Sequence, residues 1–262
     1  MTEWIILTAA TLYWENTMSV GQRAVTGFLV FFLFGATSLS AQEFWDEPFE
    51  KWNAKYVSRM INDSPWSQNQ ILNTPIVGKD SGLQGEKEIY NKFTVRFFSA
   101  LPVRQAYVRM MQLMNKYDEM APAQRTEFDS RFKRALTLDV SDRVIMSLDF
   151  SSNDPDANRD MKQYLITART DTIKQNVYLI GEHTGRVSLK EYFPPSSDGT
   201  GAKFVFPRVL NGKPVIAAGD KEARFEFLVP LIDRNAGGQT NREKLSVPFK
   251  VDKMVYKGEL SY

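Results

Sequence analysis

The chain is predicted to be an α+β protein: N-terminal helices with a strand, then a predominantly antiparallel, β-rich C-terminal half that forms a sandwich or an open curved sheet. Three observations predict this. Apolar side chains recur at helical spacing in stretches between Asn53 and Leu136, they alternate with period two from Ile89 to Phe98, and after about Gln175 alternating segments separated by turn sequences run to the end of the chain.

The first 41 residues stand outside that fold. Arg23 precedes an apolar run from Ala24 to Phe34, which is followed by the small residues Gly35, Ala36, Thr37, Ser38, Ser40 and Ala41. The run is too short to span about 30 Å of hydrocarbon and has the length of a secretory h-region, roughly 7–15 residues. Residues 18–41 therefore read as a bacterial-type signal peptide, cleaved after Ser40 or Ala41 and leaving no transmembrane segment. Residues 1–17 carry only Glu3 and Glu15 as charges and do not suit a charged leader, so they read as a mis-called start or an unstructured extension. The expected location is extracytoplasmic, periplasmic or secreted. Removing residues 1–41 takes Arg23, Glu3 and Glu15 from 33 bases and 31 acids, leaving 32 and 29, a balance that disfavours nucleic acid as a partner. With no cysteine, the chain has no disulfides, thiolate ligands or lipid-modified cysteine.

Residues 42–88 are expected to hold one helix with a tryptophan-rich signature and a linker. Val57, Met60 and Ile61 define one face of a helix from about Asn53 to Asn62, Asn53 can cap it and Ser64-Pro65 stops it. Ser67 to Glu88, rich in Asn, Gln, Gly, Pro and Ser, reads as an exposed connection. Residues 89–262 form the α+β body. Its first strand, Ile89 to Phe98, is half-buried, and Pro102 opens a helix whose stripe Val103, Ala106, Tyr107, Met110, Met111, Met114 and Tyr117 reads as core. A helix from Pro122 to Leu136 turns Phe128, Phe132 and Leu136 inward and sets Glu127–Arg131 and Asp129–Lys133 outward. A strand from Arg143 to Phe150 leads to a helix capped by Asp154 with Pro155 in its first position. Strands then follow at Asn176–Gly181, Lys203–Phe206, Ala223–Val229 and Leu245–Leu260, with turns at Asn211-Gly212 and Ala236-Gly237-Gly238.

No catalytic, cofactor or metal constellation stands out. Asp154 to Asp160 places oxygens at alternate positions as a calcium loop does, but Arg159 and Leu165 occupy the places of the turn glycine and the bidentate acid. Ser130-Arg-Phe-Lys133 matches S-x-x-K on the charged face of a helix, where no lysine is desolvated. His183 is the only histidine, no G-x-S-x-G elbow accompanies it, and glycines on either side place it in a turn.

The segment Phe44-Trp45-Asp-Glu-Pro-Phe49-Glu-Lys-Trp52, with Val57 to Ser67 containing Asp63-Ser64-Pro65-Trp66, resembles the N-terminal signature of uncharacterised secreted bacterial proteins. There a tryptophan precedes a capped helix that ends in acidic-Ser-Pro-Trp-[Ala/Ser]. Ser99 to Arg104 and Met254 to Leu260 are similar to later segments of that family. The capping box departs from its pattern, since Tyr56 stands where an acid is usual. The resemblance implies export and supplies no activity.

Two function classes follow. The first is a non-enzymatic extracytoplasmic binding or structural protein that uses its sheet and its aromatics to contact a protein or a cell-envelope component, with Phe44, Trp45, Phe49, Trp52 and Trp66 as the candidate interaction surface. A clasp that packs these rings onto the body is the competing reading of the same residues. The second is a carboxylate-dependent hydrolase of an envelope polymer, which requires two carboxyls roughly 5–10 Å apart in an open cleft.

Overall fold

Two antiparallel sheets face each other across an aromatic core. The computed structural model describes residues 43–75, 88–233 and 239–262; the expected signal peptide and the Ala236-Gly237-Gly238 turn lie outside them. The described residues begin with two 3₁₀ turns, Phe44–Asp46 and Phe49–Lys51, and helix α1 (Ala54–Asn62). Asn53 caps α1 by accepting from the Tyr56 amide at 3.0 Å.

Strand β1 (Ser67–Pro75) pairs with β2 (Glu88–Phe97) from Ser67↔Arg96 to Pro75↔Glu88. This corrects the exposed connection expected at Ser67 to Glu88 for Ser67–Pro75 and for Glu88; residues 76–87 of that connection lie outside the described residues. The Gln- and Asn-rich sequence has little strand propensity, but one side of β1 is an edge, and its backbone is satisfied by β2. The N-terminal segment and the body therefore share one ladder.

Helices α2 (Leu101–Met114) and α3 (Pro122–Leu136) come next, then β3 (Arg143–Ser152), α4 (Pro155–Thr167) and the single-turn α5 (Thr170–Ile173). Asp154 caps α4 through the amides of Asp156 and Ala157, with Pro155 in the first turn. The β-rich half holds β4 (Val177–Gly181), β5 (Gly185–Ser188), β6 (Glu191–Phe193), β7 (Ala202–Pro207), a two-residue hairpin β8–β9 (Val209–Leu210 and Lys213–Pro214), β10 (Glu222–Asp233) and β11 (Gln239–Lys250). The single strand expected from Leu245 to Leu260 is three pieces. A 3₁₀ turn at Val251–Lys253 ends β11, and β12 (Val255–Tyr256) and β13 (Glu259–Leu260) close a hairpin over Lys257 and Gly258, both at positive φ.

The first sheet runs β1-β2-β3-β7-β6 and the second β11-β10-β4-β5. Period two sends Phe93, Val95, Phe97, Met146, Leu148, Phe204 and Phe206 inward from the first and Val177, Leu179, Phe225, Phe227, Leu245, Val247 and Phe249 inward from the second, all at most 1% exposed. The rings meet edge-on, as in Phe97–Phe249 at 4.7 Å and Phe204–Phe225 at 5.3 Å. Gly201, at φ +76°, lets its loop press onto β3, since a Cβ there would stand 2.5 Å from the Leu148 carbonyl oxygen.

The outer faces differ. Over the first sheet, α1 is pinned by Arg96 of β2, whose Nε donates to the Ile61 carbonyl and whose Nη1 pairs with Asp149 of β3. Arg96 also lies 6.0 Å over the Tyr107 ring of α2. Arg96 and Thr94 are therefore buried although they point away from the sandwich. Among the described residues no helix is long and apolar enough to cross a membrane.

Candidate interaction surface

The five aromatic side chains singled out in the sequence form an internal clasp. Trp52 and Trp66 are fully buried, Trp45 and Phe44 nearly so, and Phe49 packs half-buried against them. Trp66 stands edge-on to Trp45 at 5.4 Å and donates from Nε1 to the Ser261 carbonyl at 2.6 Å, joining the start of the body to the C-terminal hairpin region. Trp52 donates to the Glu47 carbonyl, while its own carbonyl accepts from Nε of the buried Arg109 of α2 at 3.0 Å. Phe44 stacks on Tyr56 at 4.7 Å. The structure places them as a clasp: the rings are held inside or half-buried, and the Trp52 and Trp66 indoles each donate to a carbonyl.

The methionine stripe of α2 divides. Val103, Ala106 and Tyr107 are core, Met110 and Met111 are half-buried, and Met114, the last residue of the helix, is 71% exposed. Beyond it α3 lies mostly in solvent. Only Phe128 of α3 is buried, against Tyr117 and Phe132, and Asp129 takes the Tyr117 hydroxyl at 2.9 Å where an ion pair with Lys133 was expected. A shallow cleft of about 400 Å³ between the two helices is lined by Lys116, Met120, Gln124, Phe128 and Arg131 among others. Ser130 and Lys133 are both exposed, so neither has the desolvated setting that S-x-x-K chemistry needs.

His183 sits in the turn between β4 and β5, where the sequence placed it. Its Nδ1 meets Oδ1 of Asp220, a carboxylate buried in a turn closed by the Ala217 amide on Oδ2 at 3.0 Å. The contact ties the turn at His183 to the turn at Asp220. Among the described residues no three His, Asp or Glu side chains gather to hold a metal.

The outer face of the second sheet is the open surface. Register places Arg186, Ile180, Arg224 and Pro248 in one cross-strand row and Ser188, Tyr178, Glu226 and Ser246 in the next, flanked by Glu222 opposite Lys250 and Leu228 opposite Lys244. Glu226 is recessed, its side chain 9% exposed, with Lys244 Nζ at 2.5 Å and Arg186 Nη2 at 3.2 Å above it. Burial raises the Glu226 carboxyl, but Lys244 and then Arg186 outweigh it, and the net shift is downward from the ordinary glutamate value. Arg186 rests 5.1 Å from the centre of the Tyr178 ring, whose hydroxyl donates to the Gln175 carbonyl. Arg224 reaches Ser246 Oγ at 3.3 Å and pairs with Glu222. The bases stand up and the acid lies beneath them. Sequence reasoning misses this surface because it begins the last strand at Leu245, which leaves out Lys244; the alternation from Ala223 to Val229 is the available signal, and the cross-strand register is not.

No family model matches the chain, and no curated protein matches it. A crystal structure described as a novel protein of unknown function from Burkholderia pseudomallei K96243 is similar at 10% identity and a TM-score of 0.34, over 58% of this chain and 73% of that one. That likeness is too remote to bear on fold or function.

Proposed function

We propose that this is an exported, non-enzymatic binding protein that contacts a cell-envelope component through the outer face of its second sheet. The observation that carries the reading is the asymmetry of the sandwich. Helices and a buried arginine close the outer face of the first sheet, whereas on the second Arg186 and Lys244 stay exposed above a recessed Glu226 and Arg224 stands in the next row beside Glu222. Export rests on the leader-like residues 18–41 and on the resemblance of Phe44 to Ser67 to secreted proteins.

The hydrolase reading lacks a matching geometry. The buried acids among the described residues, Asp220 and Glu226, each have a basic partner, and Glu226 is shifted down, opposite to what a general acid needs. Expression in a bacterial host followed by intact-mass measurement should give a mature chain beginning at Ala41 or Gln42. That chain should co-sediment with isolated envelope material and be released by about 0.5 M salt, where the screening length falls to a few ångströms. Recovery of an uncleaved, membrane-integral chain would remove the export half of the reading, and retention that survives Arg224→Gln/Lys250→Gln would remove the binding half.

A further inference from the structure

The two main sheets end in four edge strands, and three of them are guarded. β5 and β6 are short and carry Arg186 and Glu191, and β11 carries Arg242, Glu243, Lys244 and Lys250. β1 is nine residues long, pairs with β2 in an unbroken register and has no charged residue from Ser67 to Pro75. The bond from the Phe97 amide to the Trp66 carbonyl extends that register and fixes its phase, because it makes Trp66 and Phe97 a hydrogen-bonded pair. Even-numbered residues of β1 therefore exchange backbone bonds with β2, and odd-numbered ones turn theirs to the free edge. Ser67 pairs its outward groups reciprocally with Ser64, at 3.0 and 3.1 Å. The next two, Asn69 and Ile71, have no partner for theirs among the described residues. The side chains along this edge are their own complement. Thr94 Oγ1 donates to Asn69 Oδ1 at 2.7 Å on the outer face, whereas Gln70 turns inward and accepts from the Ser246 amide at 2.7 Å. Period two thus puts Asn69, Ile71 and Asn73 together on the outer face, all exposed, Ile71 by 54%. Asn-Ile-Asn reads the same in both directions.

We propose that β1 pairs antiparallel with β1 of a second copy of this chain, about a two-fold axis at Ile71. Ile71 exchanges both backbone bonds with Ile71 of the second copy, Asn69 lies opposite Asn73, and the two five-stranded sheets become one. A two-fold contact sets a strand against itself, so any charge on it meets its like; an uncharged strand escapes that penalty, and the charged β11 does not. The charge facing Ile71 on β2, Lys92, stands three strand spacings from its own copy, roughly 14 Å and beyond the screening length. Pairing five residues a side buries less than the roughly 800 Å² per partner of a stable interface, so the dimer is a reversible one.

Because the chain has no cysteine, a single introduced one reports contacts between copies alone. Directly opposed residues of a hydrogen-bonded strand pair have Cα atoms about 5.5 Å apart, within the span of a disulfide. Treated with oxidised glutathione, the purified Ile71→Cys protein should form a disulfide-linked dimer several times faster than Ile166→Cys, another exposed apolar position, on α4. Asn69→Cys and Asn73→Cys should each stay monomeric alone and cross-link when mixed, since only the mixture sets the two thiols opposite each other. In sedimentation velocity the average mass of the wild-type protein should rise with concentration, while Ile71→Lys, which places two like charges at the axis, stays monomeric. Equal rates for Ile71→Cys and Ile166→Cys, cross-linking of Asn69→Cys or Asn73→Cys alone, or an Ile71→Lys mass that follows the wild type at every concentration would overturn the proposal.

Discussion

Trp66 shows how one side chain carries the joint between the ends of the described fold. Its ring is fully buried and its Nε1 donates to Ser261 across 195 residues of sequence. Trp66→Ala should cost about 3–5 kcal/mol in chemical denaturation, the usual range for emptying a large aromatic site; an unchanged midpoint would mean the ring is not held as described. His183 offers a subtler case. Considered alone it is an exposed turn residue whose removal should leave folding untouched, but Asp220 behind it is 1% exposed at its side chain and would keep a single amide donor. His183→Ala should therefore lower stability by about 1–3 kcal/mol, the cost of a poorly satisfied buried polar group, and Asp220→Asn in the same background should recover part of it. A histidine deletion with no effect on the melting curve would contradict the pairing. The turn at His183 was legible from its flanking glycines; its partner Asp220, far along the chain, had no signal, because a buried aspartate looks like any other in a sequence.

Among elements, those with local signals were readable and those stabilised by neighbours were not. Asn53 and Asp154 caps, Pro102 and Pro155 at helix starts, and the alternation of Ile89 to Phe98 each identified an element from a few adjacent residues. β1 escaped because its stability comes from pairing with β2, and its own Ser-Gln-Asn-Gln sequence argues for a loop. The methionine stripe of α2 was half legible: periodicity shows which side is apolar, but not that burial falls away from Met110 to Met114. α3 buries only Phe128. In hydrogen exchange its amides should therefore open well before those of β2 and β3, by a local route with a free energy far below the global one. Equal protection of α3 and the central strands would show that the helix is packed more tightly than its exposed surface implies.

At the scale of the whole molecule, the α+β class followed from summed patterns, while the contact face required the register between strands far apart in sequence. Glu226 links that face to stability. Its carboxyl has a folded value below the ordinary 4.5, so it contributes stability that is fully present above that value and is lost as the pH falls through the lower folded value. Glu226→Gln should lower stability near neutrality and flatten the acid limb of the stability curve below about pH 4.5, whereas an unaltered acid limb would mean that the clamp does not form. The claim that the second sheet's outer face meets the envelope is tested most directly by lysine acetylation of the wild-type protein with and without bound envelope material. Lys244 and Lys250 should be protected while Lys116 and Lys133, on the α2–α3 projection, react as before. Protection of Lys116 and Lys133 with Lys244 and Lys250 unchanged would place the contact on the helical projection and contradict the account.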